Sequence, residues 1–244
     1  MKPRVVLVEP LAAGNVGAVA RVMDNLEAGE LVLVNPRCDP RGAEARRLAV
    51  DAEARLLAAR VVDSLDTALA GSRLSVGTSA RTGKQRRPHY RVDDLVDALG
   101  FTPDAGAPTL VFGREDRGLT DDELDLCTHL AYLPAAPEYT SFNLSHAVLL
   151  VLWELGRGGR GPADPALASP ADHESREAML RHLERAWLAI GFLHDDATPS
   201  MMRKVRRLFG RAGVTDDEVR MLRGVAHQTL WAAGIAGLDI PPEE

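Results

Sequence analysis

The sequence predicts an α/β fold: a mostly parallel β-sheet covered by helices on both faces, followed by a small all-helical domain. Three observations carry that expectation. Short β-rich runs alternate with helical patterns over the first 155 residues, a Gly/Pro-rich stretch follows at 156–172, and only helical signals lie beyond it. Parallel strands need long crossovers, usually helices, so this alternation reads as a series of strand–helix–strand units.

The expected strands are Arg4–Glu9, Leu31–Asn35, Arg73–Thr78, Thr109–Phe112 and Leu130–Leu133, with a weaker one near Val61. Helices are expected over 16–27, 42–58, 92–99, 120–127 and 142–155. Thr120-Asp-Asp-Glu123 forms a capping box, and Thr140-Ser141 offers an N-cap oxygen ahead of Phe142. In the tail, Leu180, Leu183, Trp187, Leu188 and Ile190 fit an amphipathic helix that ends at Gly191. Met202, Val205, Leu208 and Phe209 give a second, and the capping box Thr215-Asp-Asp-Glu218 opens a third over 216–233. Trp187, Phe192, Phe209 and Trp231 are expected in the core of that tail. The resulting division is a domain over 1–156, a linker over 157–173 and a helical domain over 174–244.

Composition narrows the function classes. The 244 residues are 45% hydrophobic and 26% charged, values of an ordinary globular protein. No apolar run approaches the roughly 20 residues that cross a bilayer, and the Val5–Val8 run ends at Glu9-Pro10, too early for a signal peptide. A cytoplasmic location without membrane contact is the expectation. Cys38 and Cys127 are far apart and form no CxxC pair, and no HExxH, HxE…CxxC or EF-hand pattern occurs, so no metal is expected. Gly77 to Gln85 imitates a Walker A loop but has five residues between its glycines and Gln85 where a Ser or Thr is needed. Ser79 lacks the last glycine of a nucleophile elbow, and Gly14-Asn-Val-Gly17 lacks the third glycine of a dinucleotide loop.

The net charge of −6 hides an uneven distribution. Residues 81–91 carry Arg81, Lys84, Arg86, Arg87 and Arg91 without an acid, and 203–211 carry Arg203, Lys204, Arg206, Arg207 and Arg211 without one. Two readings stand, local binding of a polyanion and a pair of solvated arginine faces.

Three loops carry chemistry. Gly14, Gly17, Ala18 and Arg21 share one helical face, with Arg21 presenting a planar fork suited to phosphate; close helix packing is the alternative. Phe112-Gly113-Arg114-Glu115-Asp-Arg-Gly118-Leu119 lies at the carboxyl end of a strand, where α/β sheets bind ligands, or is a plain solvated turn. Tyr139-Thr140-Ser141-Phe142-Asn143-Leu144-Ser145 opens a helix whose free N–H groups suit a polar ligand, or simply caps it.

Asn15-x-Gly17-x-x-x-Arg21, Phe112-Gly113-x-Glu115-x-x-Gly118-Leu119 and Ser141-x-Asn143-Leu-Ser145 together resemble, in order and spacing, the three motifs of the SpoU-type RNA ribose methyltransferases. The likeness is strongest to the TrmJ group, which methylates the 2′-oxygen of nucleotide 32 in the tRNA anticodon loop. Val8-Glu9-Pro10, Leu31 to Pro36, Gly77-Thr78-Ser79-Ala80-Arg81 and the tail from Ile190 to Phe209 support that placement. The resemblance implies a SPOUT fold with a trefoil knot, which composition and periodicity could not have shown, and a homodimer. It implies S-adenosylmethionine held by backbone groups around Thr78, Ser79, Ala80, Gly113, Leu133, Thr140, Ser141 and Phe142. Arg21 would be the catalytic arginine, with Asn15, Glu115, Ser141 and Asn143 as its motif partners. Phe142 departs from the smaller aliphatic residue that is commoner there. A guanidinium is a poor base, so Arg21 is expected to hold the adjacent phosphate and stabilise the developing alkoxide. Arg81, Lys84, Arg86 and Arg87 would bind RNA near the target, and Arg203, Arg206 and Arg207 a more distant part of tRNA. Alternatives are the same chemistry on ribosomal RNA or on the wobble nucleotide, and a non-catalytic RNA-binding module.

Overall fold

The computed structural model describes residues 2–80, 89–95, 106–158, 169–194, 196–238 and 240–241. The chain divides into two compact units, Met1–Leu167 and Ala168–Glu244.

The first unit is built on one sheet. Its strands are β1 (Arg4–Val8), β2 (Leu31–Val34), β3 (Arg60–Val62), β4 (Ser75–Thr78), β5 (His89–Arg91), β6 (Thr109–Phe112) and β7 (His129–Tyr132). Their order is β3-β2-β1-β6-β4-β7-β5, and every neighbouring pair is parallel. The helices of this unit are α1 (Ala13–Asn25), α2 (Ala43–Ala49), α3 (Glu53–Ala58), α4 (Leu65–Leu69), α5 (Asp121–Asp125) and α6 (Leu144–Gly158).

Successive side chains of a strand point to opposite faces, and here both faces are covered. Val5 and Leu7 pack with Val16, Val19 and Met23 of α1 and with Val148 and Val151 of α6. Val6 and Val8 pack on the other side with Leu65 and Leu69 of α4 and Leu124 of α5. Burial on both sides is why β1, β2 and β6 read as unbroken apolar runs rather than alternating ones.

Three elements differ from expectation. The edge strand β5 went unanticipated because His89-Tyr90-Arg91 is polar and only three residues long. The helix expected over 42–58 is interrupted at Val50, which takes a left-handed φ of +54° and begins a 3-10 turn, Val50–Ala52. No Gly or Pro marks that break. The five-residue α4 is started by Ser64, whose Oγ accepts the Thr67 N–H at 3.1 Å. Half of the helix expected over 92–99, residues 96–99, lies outside the described residues. The expected knot depends on the path of loops that include 81–88 and 96–105, also outside them.

The small-residue face of α1 is explained by packing. A Cβ on Gly17 would lie 2.0 Å from the Ala45 carbonyl oxygen of α2, and one on Gly14 would lie 2.8 Å from Leu48 Cδ1. Gly17 lets two backbones touch and Gly14 receives side chains of α2; neither makes room for a ligand.

The second unit comprises α7 (His173–Ala189), α8 (Thr198–Ala212) and α9 (Asp216–Ile235) around Met179, Leu180, Leu183, Met202, Val219 and Leu230. Asp172 caps α7 through the Ser175 N–H, and the expected Thr215/Glu218 box caps α9. Trp187 and Phe209 pack against this core as expected. Phe192 and Trp231 do not: they are 58% and 61% exposed. Val219, Ala226, Leu230 and Ala233 are the buried residues of α9, and Trp231 falls off their stripe. No helix among the described residues is long and apolar enough to cross a membrane.

Candidate active site

In open α/β sheets ligands bind beyond the carboxyl ends of the strands, and there the three sequence loops meet. The segment joining β1 to α1 holds Glu9, Pro10, Leu11 and Ala12; that following β6 holds Gly113 to Gly118; that preceding α6 holds Thr140 to Asn143.

A continuous hydrogen-bonded chain joins them. The Glu115 carboxylate accepts the Leu11 N–H at 2.9 Å, the Ala12 N–H at 3.2 Å and Asn15 Nδ2 at 2.8 Å. Asn15 Oδ1 accepts Asn143 Nδ2 at 2.9 Å, and Asn143 Oδ1 accepts both the N–H and the hydroxyl of Ser145. Burial acts to raise the Glu115 carboxyl, but the Asn15 amide and the backbone N–H groups outweigh it and hold it below the ordinary carboxylate range.

Two helix starts differ from those expected at 16 and 142. Helix α1 begins at Ala13, so Asn15 lies inside its first turn and does not cap it; Glu115 accepts the N–H groups of the two residues just before it. Helix α6 begins at Leu144, and Asn143, not Thr140 or Ser141, caps it through the Ser145 N–H.

The loop after β6 is closed on itself. Gly118 N–H donates to the Arg114 carbonyl at 2.9 Å, and Gly118 takes a φ of +72°. A Cβ on Gly113 would lie 2.1 Å from the Gly118 carbonyl carbon, so position 113 admits only glycine without opening the loop.

Sequence reasoning missed what anchors that loop. Arg114 is buried, 7% exposed, and its Nε donates to Glu9 Oε2 at 2.7 Å while Nη1 and Nη2 reach both oxygens of Glu123 at 2.9 and 2.8 Å. Arg37 adds a 2.7 Å bond to Glu9 Oε1. Hydrogen bonds from Arg114 and Arg37 hold the Glu9 carboxyl down at about 2. The Glu123 hydrogen bonds, opposed by burial, push the Arg114 guanidinium up. Glu9 itself turns the chain with a left-handed φ of +46°, and Asn35 ends β2 the same way at +44°. The only sequence signal was Glu9-Pro10 at the end of the first strand.

Between these loops lies a cavity of about 220 Å³, several times the roughly 30 Å³ share of a liquid water. Thr78, Ser79, Ala80, Gly113, Leu133, Thr140, Ser141 and Phe142 all line it, as does Glu115. Val92, Phe112, Ala131, Leu144 and Ala147 give it apolar surface. Apolar surface beside hydroxyls, loop backbone and a carboxylate fits a ligand with a flat heteroaromatic ring at one end and polar groups at the other.

Arg21 is exposed on α1, with no ion pair or hydrogen bond among the described residues. Of the basic stretches, Arg81, Lys84, Arg86 and Arg87 lie outside the described residues. Arg203, Arg206 and Arg207 lie on α8. Arg206 is committed elsewhere: its Nε and Nη2 donate to the two oxygens of Glu177 at 3.1 and 2.8 Å. Among the described residues no group of three His, Cys, Asp or Glu side chains could hold a metal ion.

The model of the SpoU rRNA methylase family matches residues 2–153, which include the whole constellation of Glu9, Asn15, Arg21, Glu115 and Asn143. The chain belongs to the SpoU methylase family. This SpoU methylase also carries, over residues 174–235, the C-terminal domain of the tRNA methyltransferase TrmJ. It is 38% identical over 232 residues to a tRNA (cytidine/uridine-2′-O-)-methyltransferase TrmJ of Salmonella typhimurium, covering 91% of this chain and 93% of that one. Its structure is similar to the crystal structure of TrmJ from Z. mobilis ZM4, with a TM-score of 0.81 and 29% identity over 93% of this chain and 99% of that one. The fold is shared with the SpoU methyltransferase AviRb from Streptomyces viridochromogenes, solved in complex with AdoMet, at a TM-score of 0.53, 22% identity and coverage of 65% and 58%. This SpoU methylase is a methyltransferase of the TrmJ group with the SPOUT fold.

Proposed function

We propose that this methylase transfers a methyl group from S-adenosylmethionine to the ribose 2′-oxygen of nucleotide 32, cytidine or uridine, in the tRNA anticodon loop, and that it works as a homodimer. The observation that carries the reading is the hydrogen-bonded chain Glu115–Asn15–Asn143–Ser145, which gathers three sequence motifs at one rim of the cavity. S-adenosylmethionine supplies an electrophilic methyl group when bound. Thr78, Ser79, Gly113 and Leu133, with Thr140, Ser141 and Phe142, are the residues that would hold it.

The chain's own contribution is positioning and electrostatics. Glu115 fixes the start of α1, and α1 carries Arg21 two turns further on. The Arg21 fork would grip the phosphate beside the target ribose and stabilise charge that develops on its 2′-oxygen. Arg203 and Arg207 on α8 would meet RNA further away, and Arg206 on the same helix is paired with Glu177. A homodimer is supported by α6, which leaves Leu149, Leu150 and Trp153 exposed along one stripe at 38%, 36% and 52%.

The test is transfer of labelled methyl to unmodified tRNA transcripts, with the modified nucleotide mapped. Label on the ribose of nucleotide 32 is expected. Label at another nucleotide overturns the substrate position, and label on ribosomal RNA alone overturns tRNA as the substrate. Sedimentation as a monomer at assay concentration overturns the homodimer.

A further inference from the structure

Consecutive residues Arg114 and Glu115 grip the β1–α1 connection at two places. Arg114 reaches Glu9, where the connection begins, and Glu115 reaches Leu11, Ala12 and Asn15, where α1 begins. Only Pro10 stands between the two holds, and its carbonyl accepts the Arg37 N–H at 3.0 Å. Arg114 is also tied on the other side to Glu123 of α5. The wall of the cavity and the helix that bears Arg21 are thereby joined through a short bridge of charge-assisted bonds, which are the stronger kind.

An exposed ion pair would contribute little, but this one is different: Arg114 is 7% exposed, Glu9 15% and Glu123 17%. Glu9 holds an unfavourable left-handed backbone as well. Non-glycine residues keep such conformations where the surroundings over-determine them. The opposite side of α1 is fixed by backbone contact at Gly17 against Ala45, so α1 has little freedom to adjust by itself.

We infer that Glu9, through Arg114, is a positioning residue that registers Arg21 against the cavity, so that the loop after β6 and the first turn of α1 move as one body. Glu9 does not line the cavity. Its effect on transfer therefore passes through α1, not through contact with the methyl donor. The inference rests on the proposed methyl transfer for its catalytic consequence, but the mechanical coupling is testable without it.

The test is amide hydrogen exchange on the full chain with no ligand, comparing wild type with Glu9→Gln. Coupling predicts that exchange quickens by about tenfold in both 11–17 and 113–118, while β2 and α7 are unchanged. Quickening confined to either segment overturns the inference. Should Glu9→Gln fail to fold, Glu123→Gln releases Arg114 from the α5 side alone and is expected to loosen the same two segments. A kinetic cycle supplies the second readout. Glu9→Gln should slow single-turnover methyl transfer about tenfold in wild type and hardly at all in an Arg21→Ala background. Equal slowing in both backgrounds overturns a route through Arg21. Wild-type protein inert on every RNA, with exchange still coupled, would refute the proposed reaction and leave the coupling standing.

Discussion

Asn15 holds Glu115 with one end of its amide and Asn143 with the other: Nδ2 donates to the carboxylate at 2.8 Å while Oδ1 receives at 2.9 Å. The polarity is forced, because a carboxylate only accepts and an amide has one donor end and one acceptor end. Asn15→Asp keeps the shape and sets two carboxylates face to face. One must take a proton or move away. Methyl transfer is expected to fall at least tenfold at neutral pH and to recover in part as the pH is lowered toward 5. A pH-independent loss would contradict this account of the chain's polarity.

Gly113→Ala should force open the loop after β6 and with it the cavity. Its Cβ would collide with backbone at 2.1 Å, which no side-chain rotation relieves. Opening the loop is expected to cost about 1–3 kcal/mol of stability and to weaken S-adenosylmethionine binding, read by calorimetry. Retained affinity would mean that the loop tolerates being opened.

Acid should weaken the Glu9 anchor in a defined window. The carboxyl stands at about 2 in the folded chain against an ordinary 4.5. A lowered folded-state value means that the contribution is complete above about 4.5 and is lost as pH falls toward 2. Melting temperatures measured between pH 6 and 2 should therefore separate wild type from Glu9→Gln at the upper end and converge at the lower. A constant gap would contradict the assignment.

Arg206 and Arg207 on α8 are tested by different readouts. Arg206 neutralises a Glu177 carboxylate that is 12% exposed, so Arg206→Gln leaves a poorly solvated charge unpaired. The expected cost is about 1–3 kcal/mol, read as a lower melting temperature of the second unit. Arg207→Gln is expected to reduce the salt dependence of tRNA binding by about one unit of slope. An unchanged melting temperature in Arg206→Gln would contradict the pairing with Glu177, and an unchanged salt slope in Arg207→Gln would contradict its contact with RNA.

Much of this architecture was legible from local pattern. β1, β2 and β6 are apolar runs buried on both faces, and the Thr120 and Thr215 boxes announce their helices directly. What escaped were features with no local mark. Val50 breaks a helix without Gly or Pro, and β5 is an edge strand of three polar residues. At the site, the Gly113, Glu115, Asn15 and Asn143 positions could be read because their loops resemble, in order and spacing, the SpoU-type motifs; each loop alone allowed a plain structural reading as well. The Glu9–Arg114–Glu123 cluster could not, since a buried arginine looks like a surface arginine until a partner 105 residues away is seen beside it. Phe192 and Trp231 failed for a related reason: aromatic character predicts burial on average, and helix phase decides the particular case.

The strand order has a consequence for the chain as it is made. β4 lies between β6 and β7, and both follow it in sequence. A ribosome adding about 5–20 residues per second leaves β4 without either neighbour for seconds, until Thr109 and its successors emerge. β5 must likewise wait for β7, its sheet partner. The β1–β2–β3 ribbon can pair early, but the half of the sheet that walls the cavity can only be assembled late. A nascent chain halted before residue 109 would hold a paired β1–β2–β3 ribbon, still lacking β6 on its open edge, beside a strand with nothing to bind.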